Sequence, residues 1–281
     1  MSNSQKEHWE IQFESELVHV QQSEGTGLPF YTMDGVLQGA AEVQWHVLGA
    51  ATSQKNRAVG TKLQRANLDH TKVTAKLDNY EITEDIMALD EFKTSASHRR
   101  GYAQSFIWEF NRNIDTEILR EAKSSATVQT GAGYAKLDKA LLAETKALAS
   151  KHNWKGGAGD WALVITPDVE DVLLQIGEVL SRDENPSDVV FVNGKVTRLY
   201  NFDIIVSNEL DDLQTNSDAT QVDCFAWHKF AMGYKLGTPP STIIERNPET
   251  NATQVTGMMS CTARGILGNG IINVRVDSDA T

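Results

Sequence analysis

Between Thr94 and Ala122 the chain has no proline and a single glycine, Gly101, while Tyr102, Phe106, Phe110, Ile114 and Ile118 recur every fourth residue. Ala103, Ile107 and Leu119 widen the stripe. That period is helical, and a helix over 94–122 would be roughly 40 Å long at 1.5 Å per residue. Helices in globular domains usually run three or four turns. A chain holding one this long must lay its other elements along it. The segment in front, 78–92, carries Asp78, Glu81, Glu84, Asp85, Asp90 and Glu91 with no lysine or arginine, and reads as an acidic lead-in to this spine.

The surroundings of the spine can be read in order. Trp9, Phe13, Leu17 and Val20 fall on one face of a helix expected over 5–22, which Gly25, Gly27 and Pro29 end. A helix with an aromatic face at the chain's start has to dock, either on its own core or on another copy. Over 30–77 the pattern changes to short alternating runs, 42–47 and 71–77, separated by a polar stretch punctuated by glycine. This predicts a long two-stranded excursion. Such a ribbon is marginally stable alone in water and needs a surface to lie on.

After the spine, 124–133 reads as a loop of small residues, and a second helix is expected over 136–151 with Leu137, Leu141 and Leu148 on one face. A turn at 155–160 leads to a buried strand, 161–165. Thr166-Pro-Asp168 then has the form of a helix start, the helix running to about 180. Asn193-Gly194 predicts a two-residue hairpin between 189–192 and 195–200, because both residues tolerate positive φ. Strands follow at 202–206, 222–227, 242–246, 254–261 and 271–276, with a polar loop over 208–221. The class is α+β, with helices and a late sheet around one core and an extended arm reaching out of it.

Charge narrows the function. The 281 residues carry a net charge of −12, which argues against a dedicated nucleic-acid binder, since that needs a basic face to neutralise phosphates. The balance is uneven along the chain. Residues 50–77 hold Lys55, Arg57, Lys62, Arg65, Lys72 and Lys76 against Asp69 alone, next to the acidic 78–92. Adjacent blocks of opposite sign are read either as solvated surface or as a basic arm complementary to an acidic patch on another subunit. The second reading makes Lys55, Arg57, Lys62, Arg65, Glu81, Glu84 and Asp85 candidate inter-subunit contacts, and the aromatic face of the first helix adds Trp9 and Phe13.

Catalytic constellations are not found. Thr130-Gly-Ala-Gly-Tyr-Ala-Lys136 lacks phosphate-loop spacing, and the glycines at 156, 157 and 159 precede a strand instead of opening a helix. The seven histidines form no metal-ligand spacing, and there is no GxSxG elbow. Cys224 and Cys261 form no CxxC pair and are expected as buried free thiols, a disulfide being the other option. No signal peptide and no apolar run of membrane length is found, so a soluble cytoplasmic product is expected. No enzyme activity, cofactor or metal is expected.

This order of elements resembles the major capsid proteins of tailed phages, with the Hong Kong 97-type fold. The resemblance covers nearly the whole chain. It is carried by Leu77-Asp-Asn-Tyr-Glu-Ile-Thr-Glu-Asp-Ile86 and the helical run after it, and by Val192-Asn-Gly-Lys-Val-Thr-Arg-Leu-Tyr-Asn-Phe-Asp-Ile-Ile-Val-Ser-Asn208. Ala226-Trp-His-Lys-Phe-Ala-Met-Gly-Tyr234 and the closing Gly-Ile-Leu-Gly-Asn-Gly-Ile-Ile-Asn-Val add to it. The resemblance implies an N-terminal arm at 1–29 and an extended loop at 30–77. It implies a peripheral domain at 78–155 and 236–281 with spine helix 94–122, and a mainly axial domain at 156–235.

By the same resemblance the function is a self-assembling icosahedral head shell of hexamers and pentamers around packaged double-stranded DNA, bound without sequence specificity. A portal protein and a separate scaffolding protein are implied partners, no membrane is, and the location is the virion after assembly in the host cytoplasm. The nearest rival is an encapsulin, a cellular compartment of the same fold with a protein cargo; a cytoplasmic α+β enzyme is the rival from another class.

Overall fold

The computed structural model describes residues 23–39, 41–51, 68–87, 96–157, 159–175, 191–192, 195–196, 198–216, 218, 220–247 and 252–278. A 3-10 turn, Leu28–Tyr31, leads into β1 (Met33–Asp34). β2 (Val36–Gln38), β3 (Glu42–Leu48) and β4 (His70–Lys76) then form an antiparallel sheet with Trp45 opposite Val73. The alternating runs thus become a ribbon as expected, with a third strand added. Its base lies on the body through Trp45, which is buried and donates from Nε1 to the Met33 carbonyl at 3.3 Å. Gly233 makes room: a Cβ there would sit 2.5 Å from the Trp45 ring. The expected excursion over 52–67 lies outside the described residues.

β5 (Asp78–Met87) follows at once, so the acidic lead-in is, in its described part, a strand. α1 (Ala96–Ser125) has 30 residues, about 45 Å at 1.5 Å per residue. Phe106, Phe110, Ile114, Ile118, Leu119 and Ala122 are buried along one face, as the period required. Ile107, expected to widen that stripe, is 43% exposed instead. Close approach of α1 to the sheet depends on Gly257, where a Cβ would come within 3.2 Å of both Phe106 and Phe110.

The expected loop over 124–133 is corrected. Most of it is β6 (Val128–Lys136), whose left-handed Gly131, Gly133 and Tyr134 accompany a register shift against its neighbour strand. Glycines inside a strand mark such irregularities, and they hid the strand from a pattern reading. α2 (Lys139–Lys151) starts later than expected because Asp138 caps it, its side chain accepting from Leu141 N at 2.8 Å.

β7 (Trp161–Ile165) is buried throughout, and α3 (Pro167–Gln175) follows it. The expected continuation to 180 lies outside the described residues. β8 (Phe191–Val192) and β9 (Lys195–Val196) pair antiparallel with Val192 opposite Lys195, the register a two-residue turn at 193–194 requires. β10 (Arg198–Leu199) and β11 (Phe202–Val206) come next, then α4 (Glu209–Asp212) inside the expected polar loop. The chain ends with β12 (Gln221–His228), β13 (Met232–Asn247), β14 (Ala252–Gly265) and β15 (Ile271–Asp277). β13 slips register between Thr238 and Ser241, where Pro239 and Pro240 have no N–H to give.

Two sheets organise these strands. One has the order β1-β13-β14-β5; the other, six-stranded, has the order β10-β11-β7-β12-β15-β6. Because side chains alternate along a strand, the six-stranded sheet feeds two cores. Trp161, Leu163, Ile165, Cys224, Ala226 and Val274 face α2 and α3. Ala162, Val164, Phe225, Trp227 and Ile271 face the other way, where they join the α1 stripe and Val255, Met259 and Cys261 of β14. The single core expected from the sequence is therefore two cores back to back. Cys224 and Cys261 are free, buried and on opposite sides of this sheet. The sheet also takes 128–136 and 271–277 together with 161–228, so the expected line between peripheral and axial segments runs through it.

Candidate inter-subunit surfaces

Of the candidate contact residues, Trp9, Phe13, Lys55, Arg57, Lys62 and Arg65 lie outside the described residues. Glu81, Glu84 and Asp85 are exposed on β5, which among the described residues is the end strand of its sheet and pairs there only with β14. Tyr80 and Ile82 of β5 pack into the α1 core, so by alternation Glu84 shares their face and Glu81 and Asp85 the opposite one. Thr83 on that opposite face meets Thr256 across the ladder, Oγ1 to Oγ1 at 3.3 Å. The structure thus gathers three acids along a sheet edge. Charge on an edge strand discourages indiscriminate strand pairing while leaving a surface that a basic partner can meet. The described part of the ribbon contributes exposed Lys72 and Lys76 on β4.

The root of the arm was not read from the sequence. Asp115 on α1 is 1% exposed, yet it is hydrogen-bonded. Its carboxylate accepts from Thr26 N, from Thr26 Oγ1 at 2.9 Å and from Leu28 N at 3.3 Å. One turn earlier, Asn111 Nδ2 donates to Glu24 O at 3.1 Å and Arg112 Nη1 to Ser23 O at 2.9 Å. Gly25, at φ +89°, fits where a Cβ would be 2.8 Å from Asn111 Cβ. Burial pushes the Asp115 carboxyl above its ordinary 3.8, with the hydrogen bonds from Thr26 and Leu28 opposing. The available signal was an aspartate set beside Ile114 in an apolar stripe. It marks a buried acceptor, and the glycine-flanked Thr26 supplies the donors.

Bare apolar side chains occur at several places on the described surface. Ile243 and Ile244, at the outer end of β13, are 42% and 60% exposed. Phe30, Phe230 and Leu267 are exposed elsewhere. Among the described residues no group of three His, Cys, Asp or Glu is placed to hold a metal ion, and no helix is long and apolar enough to cross a membrane.

A family model described as phage capsid protein matches residues 6–278. No curated protein matches the sequence. Among solved structures, the capsid of cyanophage P-SCSP1u superposes with a TM-score of 0.70 at 15% identity, over 94% of this chain and 91% of that one. The mature capsid of bacteriophage PhiM1 does so at 0.69 and 12%, over 94% and 90%. The capsid of Ralstonia phage GP4 does so at 0.70 and 9%, over 95% and 94%. At such identities the likeness carries the fold, which is the expected Hong Kong 97-like capsid fold.

Proposed function

The chain belongs to the phage capsid protein family, and from that premise we propose that copies of it close into the icosahedral head shell that holds a packaged double-stranded DNA genome. It is a major capsid shell protein, and the carrying observation is the family match over 6–278. The encapsulin reading is not favoured by that match. The subunit's construction supports the shell. A ribbon and an arm are rooted on a two-core body by Trp45 and Asp115, and apolar side chains are left bare on it. Closed symmetry gives each such surface a complement on a neighbour. Many weak contacts per subunit then add up through effective concentration.

In this reading α1 with the four-stranded sheet forms the peripheral part, and the six-stranded sheet with α2 and α3 the axial part. The hydrogen-bonded pairing of β15 with β12 and β6 supports moving 128–136 and 271–277 to the axial side. The acidic edge of β5 receives the basic ribbon of a neighbour. An acidic chain of net charge −12 holds DNA without binding it tightly enough to hinder filling. A portal and a separate scaffold act in assembly, which takes place in the host cytoplasm, and the subunit performs no catalysis. Electron microscopy and light scattering of the purified chain test this. Closed shells are the expected result; a product that stays monomeric or dimeric at all concentrations overturns it.

A further inference from the structure

The turn between β12 and β13 is built around one imidazole. His228, the last residue of β12, stands between two backbone groups. Its Nδ1 accepts from Phe230 N at 3.2 Å, and its Nε2 lies 2.6 Å from the Lys155 carbonyl oxygen. The first bond needs a free lone pair on Nδ1, so the proton of the neutral ring sits on Nε2 and is donated to Lys155 O. Both ring nitrogens are used, one in each role. A side chain that takes the N–H two residues on does here what an asparagine does in an Asx turn.

This turn supports bare apolar surface. Ala231 N donates to the His228 carbonyl at 2.7 Å, and the Ala231 carbonyl accepts from Ile266 N at 2.7 Å and Leu267 N at 3.3 Å. The segment before β15 therefore hangs from the turn. Phe230 is 57% and Leu267 43% exposed. With Trp154, whose Nε1 donates to Asn269 O at 3.2 Å, they border a groove of about 500 Å³. The imidazole centroid lies 5.4 Å from that of Phe230 and 6.0 Å from that of Trp154.

A second proton has no place on this ring. On Nδ1 it would set one donor against another, Phe230 N–H. The segment after α2 brings His152 and Lys155 to the groove. The turn itself brings Lys229, whose Nζ lies 4.8 Å from the Phe30 ring centroid. The loop before β7 brings Asp160, whose Oδ2 accepts from Gly157 N at 3.0 Å. The 3-10 turns Leu28–Tyr31 and Gly268–Gly270 bring no charged side chain.

We propose that His228 is a proton-operated latch: neutral, it holds the Phe230 turn and through it the Phe230–Leu267 rim, and protonated it releases them. The latch belongs to the subunit and acts whether or not copies assemble. Its sign follows from the bonding, since the bond to Phe230 N is present with the neutral ring and lost as pH falls. Amide hydrogen exchange of the full chain tests it, resolved to single amides and corrected for the intrinsic pH dependence of exchange. Protection of the Phe230 amide should fall roughly tenfold between pH 7.5 and pH 4.5, while Ile118 in the core of α1 keeps its own. His228→Asn offers an acceptor to the same N–H and takes up no proton, so its Phe230 protection should not change with pH. His228→Ala should leave that amide unprotected at both pH values. Acid-independent protection in the unsubstituted chain overturns the latch. An equal acid loss in His228→Asn, or one that Ile118 shares, overturns it too, because another group or global unfolding would then be the cause.

Discussion

Asp115 accepts from both the main-chain N–H and the hydroxyl of Thr26 while itself almost wholly buried in α1. The arm's root is therefore held by a carboxylate that solvent cannot replace. Asp115→Ala leaves Thr26 N and Leu28 N without their acceptor, and each such loss costs about 1–3 kcal/mol. Urea unfolding of the subunit should show that drop, and Thr26→Val a smaller one.

The same residue sets a pH dependence. Its carboxyl titrates above 3.8 in the folded state because burial disfavours the charge. A group raised on folding contributes stability that is fully present below its unfolded value and lost as pH rises through its folded one. The stability difference between the unsubstituted chain and Asp115→Asn should thus shift in favour of the unsubstituted chain on acidification. A difference that is flat, or that shifts the other way, between neutral pH and pH 4 contradicts the assignment.

Trp45→Ala should unseat the ribbon. The ring is 2% exposed, and truncating a buried tryptophan costs about 3–5 kcal/mol. Gly233→Ala should destabilise as well, since its Cβ would lie 2.5 Å from the same ring. Chemical denaturation reads both, and a Gly233→Ala subunit as stable as its parent would show that the ring gives way freely.

Reversing Glu81, Glu84 and Asp85 to lysine should leave the subunit folded by circular dichroism and reduce shell yield. Reversing Arg57, Lys62 and Arg65 as well should restore part of that yield and change its salt dependence, because exposed charges are screened within about 10 Å at 0.1 M salt. Normal shells with unaltered salt response in the Glu81, Glu84 and Asp85 set, or no recovery in the combined set, would end the complementarity reading.

Burial pushes the thiols of Cys224 and Cys261 up to about 12. At pH 8 the thiolate fraction is then roughly one in ten thousand. A thiol reagent should label neither until the subunit unfolds, and labelling should track the unfolding curve. Rapid labelling of native subunits would place a thiol at the surface.

α1 was readable because its stripe from Phe106 to Ile118 repeats over many turns, and a long period outweighs local noise. Ile107 defeated the pattern because it lies at the margin of the stripe, where burial depends on which elements pack beside α1, and it is left 43% exposed. β6 was hidden because Gly131 and Gly133 look like loop residues. It becomes a strand only through its ladder with Ile272, Asn273 and Val274, more than a hundred residues away.

By itself the sequence determined the elements with a strong local period or turn chemistry: the long helix, the alternating ribbon, the Asn193-Gly194 hairpin register and the uneven charge along the chain. Only the tertiary structure decided that one sheet would divide two cores, that Cys224 and Cys261 would fall on opposite sides of it, and that Asp115 would hold Thr26. Local patterns report what a residue prefers against water. Pairing partners far apart in the chain are chosen by packing and hydrogen-bond satisfaction across the whole fold, and those terms exist only once the segments meet.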